Sequence, residues 1–200
     1  MAHSGDRRPL CRGAAPVDHG LAARRQALRR IGAVTVKRAF APLADDRTRV
    51  LVLGSLPGDA SLKAAEYYAH PQNGFWRLIG VAIGRDLHAM AYPDRVEALR
   101  VSGIGLWDVI ASAERTGSLD AAIRSPEAAD LRGLIAGLPS LRVVAFNGAT
   151  AAKGGRKVLA DVEGLTLIDL PSSSPAHASR TLTEKAERWA ILKDFLAEDA

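Results

Sequence analysis

Three short apolar runs punctuate the chain: residues 50–53 (VLVL), 141–148 (LRVVAFNG) and 165–171 (LTLIDLP). Each is rich in leucine or β-branched residues and is closed by a turn former. Runs of this length that do not alternate with polar positions predict strands buried on both faces, as in a parallel sheet. The stretch IGLWDVI at 104–110 predicts a fourth strand. Elsewhere the apolar spacing turns helical, in NGFWRLIGVAIG (73–84), YPDRVEALRVSG (92–103), SPEAADLRGLIAGL (125–138), ATAAKGGRKVLA (149–160) and TEKAERWAILKDFLAE (183–198). In the third of these, Ser125 reads as the N-cap and Pro126 as the first turn. Strands alternating with helices imply an α/β domain whose mainly parallel sheet is covered on both faces. Ligands of such sheets sit at the carboxyl ends of the strands, near a switch in strand order. Three polar clusters fall there: residues 55–61, Asn147 and residues 172–177.

Composition narrows the picture. With 200 residues and 48% hydrophobic content, the chain suffices for one domain with a full core. The net charge of +5 is unevenly placed: residues 1–49 hold 11 Lys and Arg against 4 Asp and Glu, a balance of +7, and the rest balances to −2. We therefore expect a basic, disordered arm at 1–33 and a single domain at 34–200. Such an arm is either solvated or follows a phosphate backbone. Within the flanking residues, LAARRQALRRI (21–31) reads as a short basic helix and AVTVKRAF (33–40) as an extended lead-in. No apolar run approaches the roughly 20 residues that span a bilayer, and the start lacks a secretory apolar stretch. The expectation is a cytoplasmic or nucleoid-associated monomer. One cysteine, Cys11, permits neither an internal disulfide nor a Cys-rich metal cage. There is no P-loop, no G-x-G-x-x-G opening a helix, and no His-x-Glu followed by paired cysteines. The reading therefore expects chemistry with no metal and no cofactor.

GSLPGDAS, YYAHPQNGFW, GLWDV, AFNG and LPSSSPAHAS, in that order and at these spacings, resemble the uracil-DNA glycosylase superfamily, and most closely its hypoxanthine (deoxyinosine) branch. The similarity runs over residues 34–197. It implies a three-layer α/β/α sandwich around a central four-stranded sheet, and cofactor-free hydrolysis of the N-glycosidic bond of a deaminated base in DNA, hypoxanthine first and uracil second. Such an enzyme extrudes its nucleotide, holds the base between an aromatic face and polar groups, and brings water to the sugar carbon.

Residue roles follow from that resemblance. Several superfamily members carry a water-positioning Asn or Asp before the Pro-Gly of the first motif, where this chain has Leu56, which orients no water. The hypoxanthine branch has an apolar residue there and uses the Asn of its His-Pro-x-Asn segment, which maps onto Asn73. A neutral amide suffices where the attacking water needs orientation more than a strong base. Asp59 and Glu66 are rival carboxylates in settings that favour simple solvation. Phe75 is expected to supply the stacking face. The loop of Gly54, Ser55, Leu56, Pro57 and Gly58 is expected to border the base with free backbone N–H groups. Asn147 reads either as a plain Asn-Gly turn or as a reader of the lactam O=C–N–H edge shared by uracil and hypoxanthine. Ser172, Ser173, Ser174 and Pro175 form a stiffened hydroxyl loop suited to phosphates. His177 either meets the departing base or a phosphate, or fills space at a helix start. Trp76, Trp107 and Trp189 read as core anchors, and His70 as a turn residue. Without a lysine inside the motif segments apart from Lys63 at their edge, a lyase step lacks its amine. Leu56 keeps a second class of function open, a non-catalytic binder of damaged or single-stranded DNA; a third is hydrolysis of free nucleosides.

Overall fold

The computed structural model describes Met1 and residues 35–196. The arm expected at 1–33, with its short basic helix, lies outside the described residues. Seven strands and six helices follow in the order β1 (Thr35–Arg38), β2 (Val50–Gly54), α1 (Asp59–Ala64), α2 (Phe75–Ile83), α3 (Tyr92–Val101), β3 (Ile104–Asp108), β4 (Ile110–Arg115), β5 (Ile123–Ala128), α4 (Leu131–Ala136), β6 (Val143–Asn147), α5 (Ala149–Leu159), β7 (Thr166–Leu170) and α6 (Leu182–Trp189). A 3₁₀ turn, Ala190–Phe195, continues α6.

The central sheet has the order β3-β2-β6-β7 and is parallel throughout. All of β2 is buried, which is why its sequence shows no polar alternation. Its side chains nevertheless divide by period two. Val50 and Val52 join Val143 and Ala145 in one core with Phe75, Trp76, Leu99 and Trp189, so α2, α3 and α6 cover that face. Leu51 and Leu53 join Val144 and Phe146 in the other core with Leu131, Ala151 and Leu159, under α4 and α5. This is the three-layer α/β/α arrangement. From β2 the chain passes to β3 on one side and later to β6 on the other, and the switch in order between them opens a crevice at the carboxyl ends.

The sequence reading departs from the fold in two regions. Residues 125–128 are not the start of a helix: they lie in β5, an edge strand paired antiparallel with β4, with Ser112 opposite Glu127. An edge tolerates Pro126 because its missing N–H faces no partner strand. The helix begins only at Leu131, capped by the Asp130 carboxylate, which accepts from the Gly133 N–H at 2.9 Å. IGLWDVI is likewise divided, since β3 ends at Asp108 and the chain passes through Val109 into β4, which leaves the main sheet for a three-stranded one of order β1-β4-β5. The lead-in at 33–40 supplies its β1.

Candidate active site

The crevice is a cavity of about 500 Å³. It is bordered by residues 55–58 after β2, Asp108 at the end of β3, Asn147 at the end of β6, residues 172–177 after β7, and Tyr68, His70 and Asn73 from the segment before α2.

The loop after β2 is held by buried cations. The guanidinium of Arg115 is enclosed and donates to the backbone carbonyls of Leu56 (3.2 Å) and Pro57. It also stands 3.7 Å from Asp120, which accepts from the Ser55 hydroxyl at 2.8 Å. Lys37 reaches Asp59 and the carbonyl of Gly117. Asp59 is thereby paired, and its carboxyl is held below the usual range by the hydrogen bond from Lys37. Leu56 both borders the cavity and packs into the core beside Leu53, so its side chain shapes a wall. Ser55, Pro57 and Gly58 border the same space. Gly54 does not. A Cβ there would stand 2.5 Å from Asp108 Oδ1 and 3.1 Å from the Tyr68 hydroxyl, so the glycine makes room for those two groups rather than touching a base.

Asn73 borders the cavity one residue before the N-cap Gly74, and its Oδ1 accepts the Phe75 N–H at 3.0 Å. That bond orients the amide and leaves Nδ2 and one lone pair of Oδ1 for a water. Phe75 corrects the sequence reading. Its ring is fully enclosed, outside the cavity lining, and stacked on Tyr68 at 3.7 Å with 12° between planes. The aromatic side chain that lines the cavity is Tyr68, whose backbone sits in the left-handed region at φ 54°. Phe75 begins α2, and the first turn of that helix points it at the core, where it also meets Trp76 and Trp189 edge-on. Tyr67, the neighbour of Tyr68, is buried, with its ring edge-on to Phe40.

Asn147 borders the cavity and is bound to Ser173, which was expected to face phosphates. The Asn147 amide donates to Ser173 Oγ at 2.9 Å, and its Oδ1 accepts the Ser173 N–H at 2.8 Å. The pair clips the loop after β7 to the end of β6, and Gly148 (φ 97°) lets Ser172 close in, since a Cβ there would lie 2.8 Å from Ser172 Cβ. Ser173 is therefore an inward clamp, 3% exposed, and its carbonyl accepts the Gly74 N–H at 2.9 Å. Ser172 and Ser174 use their Oγ atoms to accept from the N–H groups of Ser174 and Ala176, both at 3.2 Å, and keep their hydroxyl hydrogens for another acceptor. Pro175 is exposed beside them. His177 borders the cavity with Nδ1 buried and unpartnered, while Nε2 lies 3.3 Å from the Ser179 hydroxyl. Beneath it, Lys185 donates to the carbonyls of His177 (2.8 Å) and Ser174 (3.5 Å), and burial pushes its ammonium pKa down.

Asp108 was missed as a site residue. It ends β3 at the cavity margin, is 4% exposed, and its Oδ2 is buried with no hydrogen-bond partner. Burial pushes its carboxyl up to about 7; nearby Arg115 opposes that rise and Asp120 adds to it. The signal was present in GLWDV, because a polar residue closing a buried parallel strand stands where Asn147 closes AFN. Among the described residues no group of three or more His, Cys, Asp or Glu could hold a metal.

The strand ends of the parallel sheet thus converge on one cavity bordered by an amide, an aromatic ring and a hydroxyl loop. The chain belongs to the uracil DNA glycosylase superfamily, which it matches over residues 41–196. It is similar to the hypoxanthine DNA glycosylase of Methanosarcina acetivorans, 40% identical over 158 residues that cover 79% of this chain and 99% of that one. It is likewise 40% identical to the hypoxanthine DNA glycosylase of Methanosarcina barkeri over 154 residues, 77% of this chain and 96% of the relative. The solution NMR structure of a candidate uracil DNA glycosylase from M. acetivorans superposes with a TM-score of 0.71 at 39% identity, covering 80% of this chain and 99% of that one.

Proposed function

We propose that this protein is a monofunctional DNA glycosylase that hydrolyses the N-glycosidic bond of hypoxanthine in DNA, working as a monomer without a cofactor. The observation that carries the reading is the meeting of Asn73 and Tyr68 in one cavity of about 500 Å³, within the range that encloses a small ligand. An everted base lies against Tyr68, which Phe75 stiffens from behind; stacking of this kind contributes roughly 1–3 kcal/mol per base. As the glycosidic bond lengthens, the sugar takes on positive charge, and the Asn73 amide holds the water that attacks C1′. The hydroxyls of Ser172 and Ser174 donate to the flanking phosphates from a loop that Pro175 stiffens. Uracil fits the same polar edge and is the second substrate.

The test is incubation with inosine- and uracil-containing duplexes followed by alkaline cleavage of abasic sites. Strand scission at inosine is expected. Asn73→Ala should lower single-turnover base release by roughly a hundredfold while DNA binding persists. Binding without scission in the wild type would make the protein the damaged-DNA binder that Leu56 first suggested, and release from free nucleosides alone would make DNA dispensable.

A further inference from the structure

Of the exposed large apolar side chains among the described residues, Leu119 is the one that borders the cavity, at 60% exposure. The other leucine of the lining, Leu56, is buried in the wall. Isolated surface leucines are common and need no explanation, but this one is held on a fixed support. Residues 116–122 join β4 to β5. Within that turn the Gly117 carbonyl accepts from buried Lys37, and the Ser118 hydroxyl oxygen accepts the Asp59 N–H at 2.9 Å. Asp120 accepts from the Ser55 hydroxyl at 2.8 Å and lies 3.7 Å from the enclosed guanidinium of Arg115. The Leu119 carbonyl accepts the Ala122 N–H at 3.0 Å. Ser118 also packs on Gly58, where a Cβ would stand 3.3 Å from it. The residues on either side of Leu119 are thus tied down, while its own side chain is left largely in solvent.

We propose that Leu119 is a wedge that enters the base stack of duplex DNA and occupies space left by the everted nucleotide. This rests on the glycosylase reading above and adds to it a device for duplex substrates. Eversion breaks the stacking and pairing of the target base, and the gap it leaves favours the base's return. An apolar side chain inserted there restores contact with the neighbouring bases and holds the duplex open; leucine is among the side chains that proteins use in this way. A fixed support matters, because a backbone ordered before binding loses little freedom on insertion. Strand order puts β3 and β7 at opposite edges of the central sheet. Leu119 stands on the hairpin that follows β3, whereas the hydroxyl loop follows β7 and carries, from 172 to 179, only serines, alanines, Pro175 and His177. Hydroxyl donors therefore flank the cavity on one side and an apolar tip on the other, matching a strand whose phosphates meet the first loop and whose base stack meets the second.

The experiment is single-turnover excision of hypoxanthine from an inosine-containing duplex and from the same strand unpaired, for the wild type, Leu119→Ala and Leu119→Met. Because the side chain is mostly in solvent, thermal unfolding should be unchanged in both variants. Leu119→Ala should lose roughly 10- to 100-fold on the duplex, the equivalent of one buried leucine side chain, and stay within about threefold of wild type on the single strand, which needs no eversion from a paired stack. Leu119→Met keeps an apolar wedge and should stay within about threefold of wild type on both substrates. 2-Aminopurine placed next to inosine in the duplex reads unstacking directly, in the Asn73→Ala background that slows base release. Adding Leu119→Ala there should cut the fluorescence rise at saturating protein by about half or more. An equal loss on both substrates, an unchanged duplex rate, an unchanged fluorescence rise, or wild-type excision confined to the single strand overturns the wedge and leaves the glycosylase standing. Absence of excision by the wild type from either substrate overturns the glycosylase reading itself.

Discussion

Replacing Asp108 with asparagine should make the protein more stable, and increasingly so as the pH rises. Asp108 is 4% exposed, and burial lifts its carboxyl from 3.8 to about 7 in the fold. In the unfolded chain it ionises near its ordinary value, so between these two points the native state holds a proton that the unfolded state has released. The native state binding more protons means stability falls with rising pH. The contribution is fully present below about 3.8 and is lost as pH rises through about 7. A rise of about three units corresponds to about 4 kcal/mol at full development, with about 2 kcal/mol of it falling between pH 5.5 and pH 8.5. Because the group is enclosed, solvent screening scarcely reduces these figures. Urea unfolding of wild type and Asp108→Asn at those two pH values reads the effect directly, since asparagine removes the ionisation with little change of shape. The gap between the two proteins should widen by about 2 kcal/mol towards alkaline pH. A gap constant to within about 0.5 kcal/mol would refute the claim that this carboxyl stays protonated in the fold, whatever the enzymology shows.

Two further substitutions probe the surroundings. Tyr68→Ala removes the ring that Phe75 supports, and half-saturating enzyme concentration for inosine excision should rise roughly 5- to 150-fold, the equivalent of one lost stacking contact; unchanged saturation would return the stacking role to another residue. Gly54→Ala places a Cβ 2.5 Å from Asp108 Oδ1, so it should cost about 1–3 kcal/mol in chemical unfolding and depress excision alongside it; a variant as stable and as active as wild type would show that the carboxyl is not seated there.

Most of the architecture was legible in the chain because burial on both faces leaves a direct imprint. VLVL and VVAF read as strands of a covered sheet and are buried in it, whereas TLIDL forms the edge strand β7, with Thr166 and Asp169 exposed; the helices between them followed from spacing. The exception at residues 125–128 has a local cause, since Ser-Pro opens a helix or sits in an edge strand equally well, and only pairing with β4 decides between them. At the site, the sequence located the strand ends and therefore the segments, but it assigned individual partners poorly. Phe75 and Tyr68 lie seven positions apart with similar chemistry, and the direction of the first turn of α2 sends one into the core and leaves the other lining the cavity. Asn147 and Asp108 end the apolar strands on either side of β2 in like fashion, yet a loop returning from β7 takes one donor and one acceptor of the first while a glycine on β2 makes a seat for the second.

By itself, then, the order of apolar runs and motifs determined the fold, the family and the end of the sheet where chemistry occurs, because hydrophobic burial and strand polarity are written in local pattern. Which polar atoms remain free at that end was decided only by tertiary structure. A hydrogen bond satisfied by a residue 26 positions away, as between Asn147 and Ser173, leaves no trace in the neighbourhood of either.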